Sequence, residues 1–495
     1  MNCVLLLVAM SGGMAGDSQQ SENLDFVAGS LTGWTGRGFY LLPLESRNAT
    51  TPRAVCSREN GESGGKGTLT QEFEVPADKS YLCFAASAVR ASGLKADARL
   101  DVLLLDSAGH VIPKLVREKF EWQRVESLLP PRDGFSREYH WKIGTLAGKK
   151  VRIEIRDLDD RPGCFIHCTG FQLQTAGEFE LPEFGRHMAA LSQAHQLFAV
   201  SRHDSKNFVS IGNTDDRYTE ARLRECETMY ALFFDHFRKK GFSLQEPRSK
   251  LMVAMFDSQA GFAAYMGTKM PPSITGIYHI PSNRFVVYDF GRNEALLAQK
   301  QKAERNGQKI GLQMDRVRYL DTVQRVAEDA RTDTNISTNM HEVAHQLSFN
   351  STMLNPEGDL PVWLSEGLAC YCEATANGAW QGIGELNPPR AGTLRDVLRS
   401  HGNFFAIRDL IVDDRWIRDR RDTQWILTGY AQCWALFRML MEEDPAAMIM
   451  FMQATNQERT PERRLSTFMS AFGKDLAALE TRHKAYIQRV VQELK

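Results

Sequence analysis

The most informative segment of the sequence reads NMHEVAHQLSF, residues Asn339 to Phe349. It places His341 and His345 four residues apart, with Glu342 between them. In an α-helix, residues four apart lie on one face and one turn along the axis, so both imidazoles project toward a single point. On a helix this pattern is typical of a metal site whose carboxylate accepts a proton from water. The segment therefore predicts a metal-binding helix with Glu342 as general base.

A second segment carries another acidic residue. Residues 361–374 read PVWLSEGLACYCEA, and twenty residues separate His345 from Glu366. We expect this segment to form another helix beside the first.

With both segments in place, the chain resembles the gluzincins, the clan of thermolysin and the zinc aminopeptidases. In that clan HExxH is followed some twenty residues later by a ligand glutamate in a W-L-x-E-G-x-A setting, which Trp363 to Ala369 matches. The resemblance covers roughly Ser201 to Leu440 and extends to a bacterial domain family of unknown function with a peptidase-like core. It implies that one Zn²⁺ ion is held by His341, His345 and Glu366. Three protein ligands and an open fourth position are the pattern of a catalytic zinc site, whereas closed sites with four ligands are structural. The resemblance therefore implies an enzyme, a zinc metallopeptidase that cleaves peptide bonds in a peptide or protein substrate.

The resemblance carries three further positions with it. Tyr430, in GYAQCWALFRML, matches the tyrosine whose hydroxyl stabilises the oxyanion in the zinc aminopeptidases; the alternative is a core tyrosine on an amphipathic helix. Glu373 matches a recurrent acidic position, with a structural role or one in orienting a ligand. The strand from Arg284 to Asp289 corresponds to the edge strand against which such enzymes lay an extended peptide.

One departure from the clan bears on the substrate. The chain contains no G-x-M-E-N motif, so the acidic group that captures a free amine in the aminopeptidases is not identifiable. This favours an endopeptidase over an aminopeptidase. Nearby, Asn387 and Arg390 in GELNPPR either line the cleft or belong to a stiff loop formed by two prolines.

Composition and length set the frame for these sites. A chain of 495 residues is too long for one ordinary core, so we expect several domains. Lys and Arg number 60 against 61 for Asp and Glu, and 43% of the residues are apolar, which is an ordinary globular composition. Near-neutral charge argues against nucleic acid as a partner.

The N-terminal residues indicate export. Residues 3–10 read CVLLLVAM and are followed by small residues, which predicts a signal peptide over residues 1–16 and a secreted or periplasmic protein, although no basic residue precedes the apolar run. No later window approaches the roughly 18–20 apolar residues of a membrane span. In an oxidising compartment Cys56 and Cys83 could form a disulfide, as could Cys164 and Cys168; the alternative is buried thiols.

The segments define an N-terminal β-sandwich and an α+β domain with a helical C-terminal part. Residues 23–176 show short alternating runs separated by turns, which predicts an antiparallel, jelly-roll-like sandwich. With GWTGRG, GKGTLTQEFEVP and LAGKKVRIEIRD, this part resembles the galactose-binding-like jelly-roll modules of secreted bacterial enzymes. A linker and helix over 177–205, a metallopeptidase core over 206–380 and a helical subdomain over 381–495 follow.

The sandwich keeps a second hypothesis open. The resemblance implies either a carbohydrate-binding accessory or a structural sandwich that only packs on the enzyme. The alternative function is therefore an extracellular carbohydrate- or surface-binding protein with a non-peptidase or inactive gluzincin-like domain. The intact HExxH weighs against inactivity, because a non-catalytic scaffold has no need of Glu342.

Overall fold

The computed structural model describes residues 23–42, 53–59, 62–63, 66–89, 99–118, 121–130, 136–161, 163–310, 312–356, 358–418, 423–458 and 460–494. The predicted signal peptide, residues 1–16, lies outside the described residues. The chain divides into two compact units, Met1–Phe179 and Glu180–Lys495. Each unit is described below by itself.

The first unit is built from antiparallel strands. One sheet has four strands in the order β1–β6–β12–β8, and the other has eight, in the order β10–β9–β11–β7–β13–β3–β2 with β14 also on β7. The short strands β4 and β5 pair with each other. The strands are β1 Thr35–Arg37, β2 Tyr40–Leu41, β3 Ala54–Cys56, β4 Arg58–Glu59, β5 Glu62–Ser63, β6 Gly67–Glu74, β7 Tyr81–Val89, β8 Leu100–Asp106, β9 Lys114–Glu118, β10 Glu121–Val125, β11 Arg137–Lys142, β12 Lys150–Asp157, β13 Phe165–Thr169 and β14 Gln172–Gln174.

Alternating side chains explain why these strands form a sandwich. Along β12 every second residue is buried, and β6 alternates in the same way. Successive side chains of a strand point to opposite faces, so this pattern buries one face of each sheet. The buried residues of both sheets form a single core that includes Ile153, Phe84 and Trp141. The predicted antiparallel β-sandwich is confirmed.

The cysteines do not form the disulfides that the sequence allowed. All eight cysteines in the described part of the chain are buried thiols without a disulfide bond, including Cys56, Cys83, Cys164 and Cys168. Burial raises the pKa of the Cys83 thiol to about 12. These side chains therefore act as small apolar core residues, which was the alternative interpretation of the sequence.

A five-stranded mixed sheet forms the base of the second unit. Its order is β15–β16–β17–β19–β18, with parallel pairing of β16, β17 and β19 and antiparallel pairing at both ends. The strands are β15 Ser201–Asp204, β16 Phe208–Gly212, β17 Leu251–Phe256, β18 Gly276–His279 and β19 Arg284–Tyr288; the pair β20 Thr375–Ala376 and β21 Ala379–Trp380 stands apart.

The order of this sheet corrects one expectation. The sequence predicts that the strand beginning at Arg284 lies at the edge, but β19 lies between β17 and β18. The edge strand is Gly276–His279, which forms an antiparallel hairpin with β19. Asn283, at the turn of this hairpin, has a positive φ of 54°. Because β19 pairs with a neighbouring strand on both sides, its backbone cannot pair with a peptide.

Helices make up most of the remaining second unit, which confirms the helical C-terminal part. In the described part of the chain, none of them is both long enough and apolar enough to cross a membrane. They are α1 Ala176–His195, which begins in the first unit, α2 Asp216–Lys239, α3 Gln259–Met266, α4 Glu294–Gly307, α5 Gln313–Asn350, α6 Val362–Cys372, α7 Pro388–Arg399, α8 Ile407–Val412, α9 Arg415–Arg418, α10 Thr423–Glu443, α11 Pro445–Thr455, α12 Arg464–Phe472 and α13 Leu476–Gln492.

Candidate metal centre

Two helices carry the side chains that the sequence singled out for metal chemistry. His341, Glu342 and His345 lie on α5, and Glu366 lies on α6. Apolar neighbours on α5, such as Val343, are fully buried in the core of the second unit. This packing fixes the rotation of α5 about its axis, so the histidine face of the helix has one direction.

The three predicted ligands come together at spacings that suit one ion. Nε2 of His341 lies 3.1 Å from Nε2 of His345 and 3.2 Å from Oε2 of Glu366, and the distance from Nε2 of His345 to that oxygen is 3.6 Å. In a tetrahedral site with metal–ligand bonds near 2.0–2.1 Å, neighbouring ligand atoms stand about 3.3 Å apart. His341, His345 and Glu366 could therefore hold a metal ion.

The other ring nitrogen of each histidine has a partner of its own. Nδ1 of His341 lies 2.6 Å from Oε2 of Glu373, and Nδ1 of His345 lies 3.2 Å from Oγ of Ser365. Partners at this position fix the orientation of a metal-binding imidazole and, in a carboxylate's case, raise its basicity. Both rings are thus held with Nε2 facing the centre.

Glu373 directly follows the last residue of α6, and its two carboxylate oxygens contact different groups. Oε2 contacts His341, whereas Oε1 accepts hydrogen bonds from Nε of Arg390 at 2.7 Å and from Nδ2 of Asn387 at 3.0 Å. Burial would raise the pKa of Glu373, but the charges of Arg390 and His341 hold this pKa well below its usual value. Glu373 is therefore an anion at neutral pH. Asn387 and Arg390 are therefore more than parts of a stiff loop. Each donates a hydrogen bond to Glu373, which in turn contacts His341.

Burial and charge shift the pKa values of the two carboxyl groups at the centre in opposite directions. Burial raises the pKa of Glu342, and the negative charge of Glu366 adds to the increase against the opposing histidine charges. Burial also acts to raise the pKa of Glu366, but contacts with the two histidines outweigh it and lower this pKa far below the usual range. The environment thus favours a charged carboxylate at the ligand position and a more basic one beside it.

Glu342 packs directly under the edge strand. A Cβ on Gly276 of β18 would stand 3.0 Å from Cγ of Glu342 and 2.6 Å from Cγ2 of Thr338, so only glycine lets the strand approach this closely. The backbone N–H of Tyr278, two residues further on, lies near the Glu342 carboxylate and acts to lower its pKa against the effect of burial. The predicted base and the edge strand therefore form one local unit.

Tyr430 also lies at the centre. It is carried by α10, and its ring centroid is 6.4 Å from that of His341. Burial, reinforced by the charge of Glu366, raises the pKa of the Tyr430 phenol well above its usual value, so the hydroxyl keeps its proton. A protonated phenol beside the ligand set can donate a hydrogen bond.

Sequence reasoning missed the thiol of Cys370. Its sulfur, a ring nitrogen of His341 and a carboxylate oxygen of Glu373 lie within 4.8 Å of one another and form a second group of potential ligand atoms. Cys370 follows Glu366 by four residues, and that spacing on α6 was the available signal. Ser365 gave no such signal, because an adjacent residue does not share the face of Glu366.

Part of the second unit matches a known family model. Residues 335–462 match the family described as "Protein of unknown function (DUF1570)". The match contains all four of the side chains on α5 and α6 and also Tyr430. No curated protein matches the chain.

Solved structures similar to the chain include carbohydrate-binding modules. One is a family 61 module in complex with β-1,4-galactotriose, at 13% identity over 32% of this chain and 99% of that one, with a TM-score of 0.21. Another is the family 22 module of Clostridium thermocellum Xyn10B, at 15% identity, 31% and 93% coverage and a TM-score of 0.18. A third is the xylan-binding domain of Paenibacillus barcinonensis Xyn10C, at 12% identity, 29% and 85% coverage and a TM-score of 0.18.

Proposed function

We propose that the second unit is a zinc-dependent hydrolase that cleaves peptide bonds, and that it acts as an endopeptidase. The observation that carries the proposal is the convergence of two imidazole nitrogens and one carboxylate oxygen within 3.1–3.6 Å of one another, with a second carboxylate beside them. Two histidines and a glutamate are a ligand set of known catalytic zinc sites. Oxygen-only sites for calcium or magnesium do not use imidazole in this way.

The chemistry divides between the ion and the protein. A bound zinc ion would supply a Lewis acid that polarises a carbonyl group and lowers the pKa of water. Glu342 accepts the proton of the attacking water, a role that suits a carboxylate whose pKa is raised by burial. The same group then delivers the proton to the leaving amine.

Tyr430 has the complementary role. Its hydroxyl is protonated, and none of the contacts described for it is a hydrogen bond to a protein group, so it is available to donate to the oxygen of the attacked carbonyl. Removing one such donor typically costs about 2.7–4 kcal/mol of transition-state stabilisation. Glu373 and Ser365 hold the two imidazoles in orientation while the reaction proceeds.

The edge strand β18 is the surface on which an extended substrate would bind. Within the described sheet, Gly276–His279 pairs on one side only, with β19. An extended peptide that added to the other side would gain main-chain hydrogen bonds and lie next to Glu342. Such pairing is independent of a free terminus, which agrees with an endopeptidase.

Substitution of the base tests the proposal. Glu342→Gln should retain one equivalent of zinc, because the ligands are untouched, and should lower chelator-sensitive cleavage of an unbiased peptide pool by at least about 100-fold. Glu304→Gln, an exposed position on α4, is the matched control and should leave both quantities unchanged. Wild-type cleavage rates in Glu342→Gln would refute the role of the base.

Carbohydrate binding by the sandwich is the second candidate. One of the similar modules was solved with β-1,4-galactotriose and another is a xylan-binding domain, but likenesses with TM-scores of 0.18–0.21 do not transfer a ligand. A glycan array probed with the whole chain decides the matter. Glycan binding without any metal-dependent cleavage of the peptide pool would favour this candidate over the hydrolase.

A further inference from the structure

The guanidinium group of Arg390 contacts two residues of the candidate metal centre that lie outside α5. One is Glu373, at the end of α6, and the other is Tyr430, on α10. Arg390 stands in the first turn of α7, and its side chain is 19% exposed. Its Nε donates to Oε1 of Glu373 at 2.7 Å, and its Cζ lies 5.1 Å from the ring centroid of Tyr430. Arg390 thus contacts the end of α6 and the side of α10 at the same time.

The contact with Glu373 leads directly to a metal ligand. Glu373 is 8% exposed and holds Nδ1 of His341 at 2.6 Å with its other oxygen. A buried carboxylate without a balancing cation is costly, and moving to another position relieves the cost. Without Arg390, the carboxylate would keep Asn387 and His341 as partners but lose the permanently charged cation among its described contacts. The orientation of His341 would then lose its support.

The contact with Tyr430 leads to the second functional group. The guanidinium stands against the Tyr430 ring, while Trp416 meets the same ring edge-on at a centroid distance of 5.6 Å and an angle of 89°. A cation over an aromatic face is attracted by the ring quadrupole, most strongly where water is excluded. Arg390 and Trp416 together limit the directions in which the phenol can point.

We propose that Arg390 is a positioning residue that sets a metal ligand and the oxyanion donor together. It fixes Glu373, and through it His341, with one edge of the guanidinium, and it fixes Tyr430 by the contact with its ring. The part that concerns Tyr430 rests on the proposed function, whereas the part that concerns His341 requires only that the centre binds a metal ion. Arginine suits this task because its planar group donates hydrogen bonds in its plane and stacks through its face, which the ammonium of lysine cannot do.

Three variants of the full chain test the proposal: Arg390→Met, Arg390→Lys and, as matched control, Arg399→Met at the exposed end of the same helix. Cobalt(II) is the probe, because its visible spectrum reports the ligand geometry and its affinity can be measured by competition with a chelator. We expect Arg390→Met to bind cobalt about 10–100-fold more weakly and with an altered spectrum. Arg399→Met should match the wild-type protein in both.

Lysine separates charge from geometry. Arg390→Lys keeps a cation near Glu373, so it should recover cobalt affinity to within about tenfold of wild type, in line with the usual size of such effects. It cannot stack on Tyr430 as arginine does, so kcat on the peptide pool should stay at least tenfold low with KM nearly unchanged. A purely structural role would instead change the melting temperature without this split.

The outcomes are distinguishable. If Arg390→Met binds cobalt with wild-type affinity and spectrum, the proposal is overturned. If Arg390→Met does not fold, the cobalt spectrum of Arg390→Lys decides, and a spectrum identical to wild type together with wild-type kcat overturns it. If the wild-type protein cleaves no peptide, the proposed function fails, but weakened cobalt binding by Arg390→Met still supports the link from Arg390 to His341.

Discussion

Asp157 is a buried carboxyl group of the sandwich, at the last residue of β12. It is 1% exposed and accepts hydrogen bonds from Oγ of Ser57 at 2.5 Å and from the backbone N–H of Asp159 at 2.9 Å. Burial outweighs these two bonds and raises the pKa of Asp157 to about 6. This carboxyl therefore titrates near neutral pH in the folded protein and near 3.8 when unfolded.

The raised pKa predicts that Asp157 makes the sandwich more stable as the pH falls from 7.5 to 5. Between the two pKa values the folded state binds more protons than the unfolded state, so the free energy of unfolding increases as the pH decreases. The contribution is complete below the unfolded pKa and lost as the pH rises through about 6; a shift of this size is worth at most about 3 kcal/mol.

Hydrogen exchange of the β12 amides measures this effect in the full chain. The change in protection between pH 7.5 and 5 should be smaller in Asp157→Asn than in the wild-type protein. Asp160→Asn is the control, because the Asp160 side chain is 54% exposed. An equal pH response in wild type and Asp157→Asn would contradict the prediction.

At the level of residues, the helical period predicts which side chains share one face of a helix, but it does not predict the contact between Arg390 and Glu373. The spacing of His341 and His345 follows from the helical period, so their common face could be predicted without knowledge of the fold. The contact of Arg390 with Glu373 depends on how α7 packs beside α6, which no local spacing encodes. The sequence therefore left two interpretations of Arg390 open: a residue that lines the cleft, or part of a stiff loop.

At the level of elements, α5 is a long helix, because Gln313–Asn350 spans 38 residues. Its fully buried residues begin only at Asn335, and its earlier part packs against α4, where Tyr319 and Leu320 lie beside Gly307. The sequence predicted the helical face of the motif but not where full burial begins along the helix, because burial is a property of the fold.

The crossing of α6 and α10 depends on a glycine next to Glu366, one of the predicted metal ligands. A Cβ on Gly367 would stand 2.7 Å from the backbone oxygen of Cys433 and 2.9 Å from Cβ of Phe437. These neighbours belong to the backbone of α10 or to the base of a buried side chain, so they cannot move aside locally. Close helix packing here fixes the position of Glu366, the preceding residue.

Gly367→Ala should destabilise the protein by about 1–3 kcal/mol, the usual cost of an overpacked core, and should weaken metal binding through Glu366. Gly392→Ala is the control on another helix, because no atom lies within 4 Å of the added Cβ. The control should gain up to about 1 kcal/mol from its higher helix propensity. Denaturant unfolding and cobalt affinity of the two variants check the prediction, which fails if Gly367→Ala matches the wild type.

At the scale of the whole molecule, each unit has its own core. The core of the sandwich is drawn from Leu24 to Leu173, and the residues that form the cores around the mixed sheet begin at Leu181. A separate core is what allows a unit to fold independently. Apolar residues alternate with a period of two in the first part of the sequence and follow the helical period later. This change of period indicates that the two parts bury their apolar side chains in different kinds of packing.

The placement of the site predicts that the second unit acts alone. All ligands, Glu342, Tyr430 and Arg390 lie within Glu180–Lys495. A fragment should begin at Thr175, because its Oγ accepts from the backbone N–H of Glu178 at 3.1 Å while the Glu178 carboxylate accepts from the backbone N–H of Thr175 at 2.7 Å, a reciprocal cap for α1.

Residues 175–495 should therefore bind one metal ion with the affinity of the full chain and cleave the same peptides within about threefold of its rate, since separate domains make additive contributions. The same fragment with Glu342→Gln is the control and should bind the ion without cleaving. A folded fragment that had lost metal binding would place part of the centre's support in the sandwich. A fragment that binds the ion but cleaves only peptides, and no longer a glycan-linked protein that the full chain cleaves, would instead assign substrate capture to the sandwich and bond cleavage to the second unit.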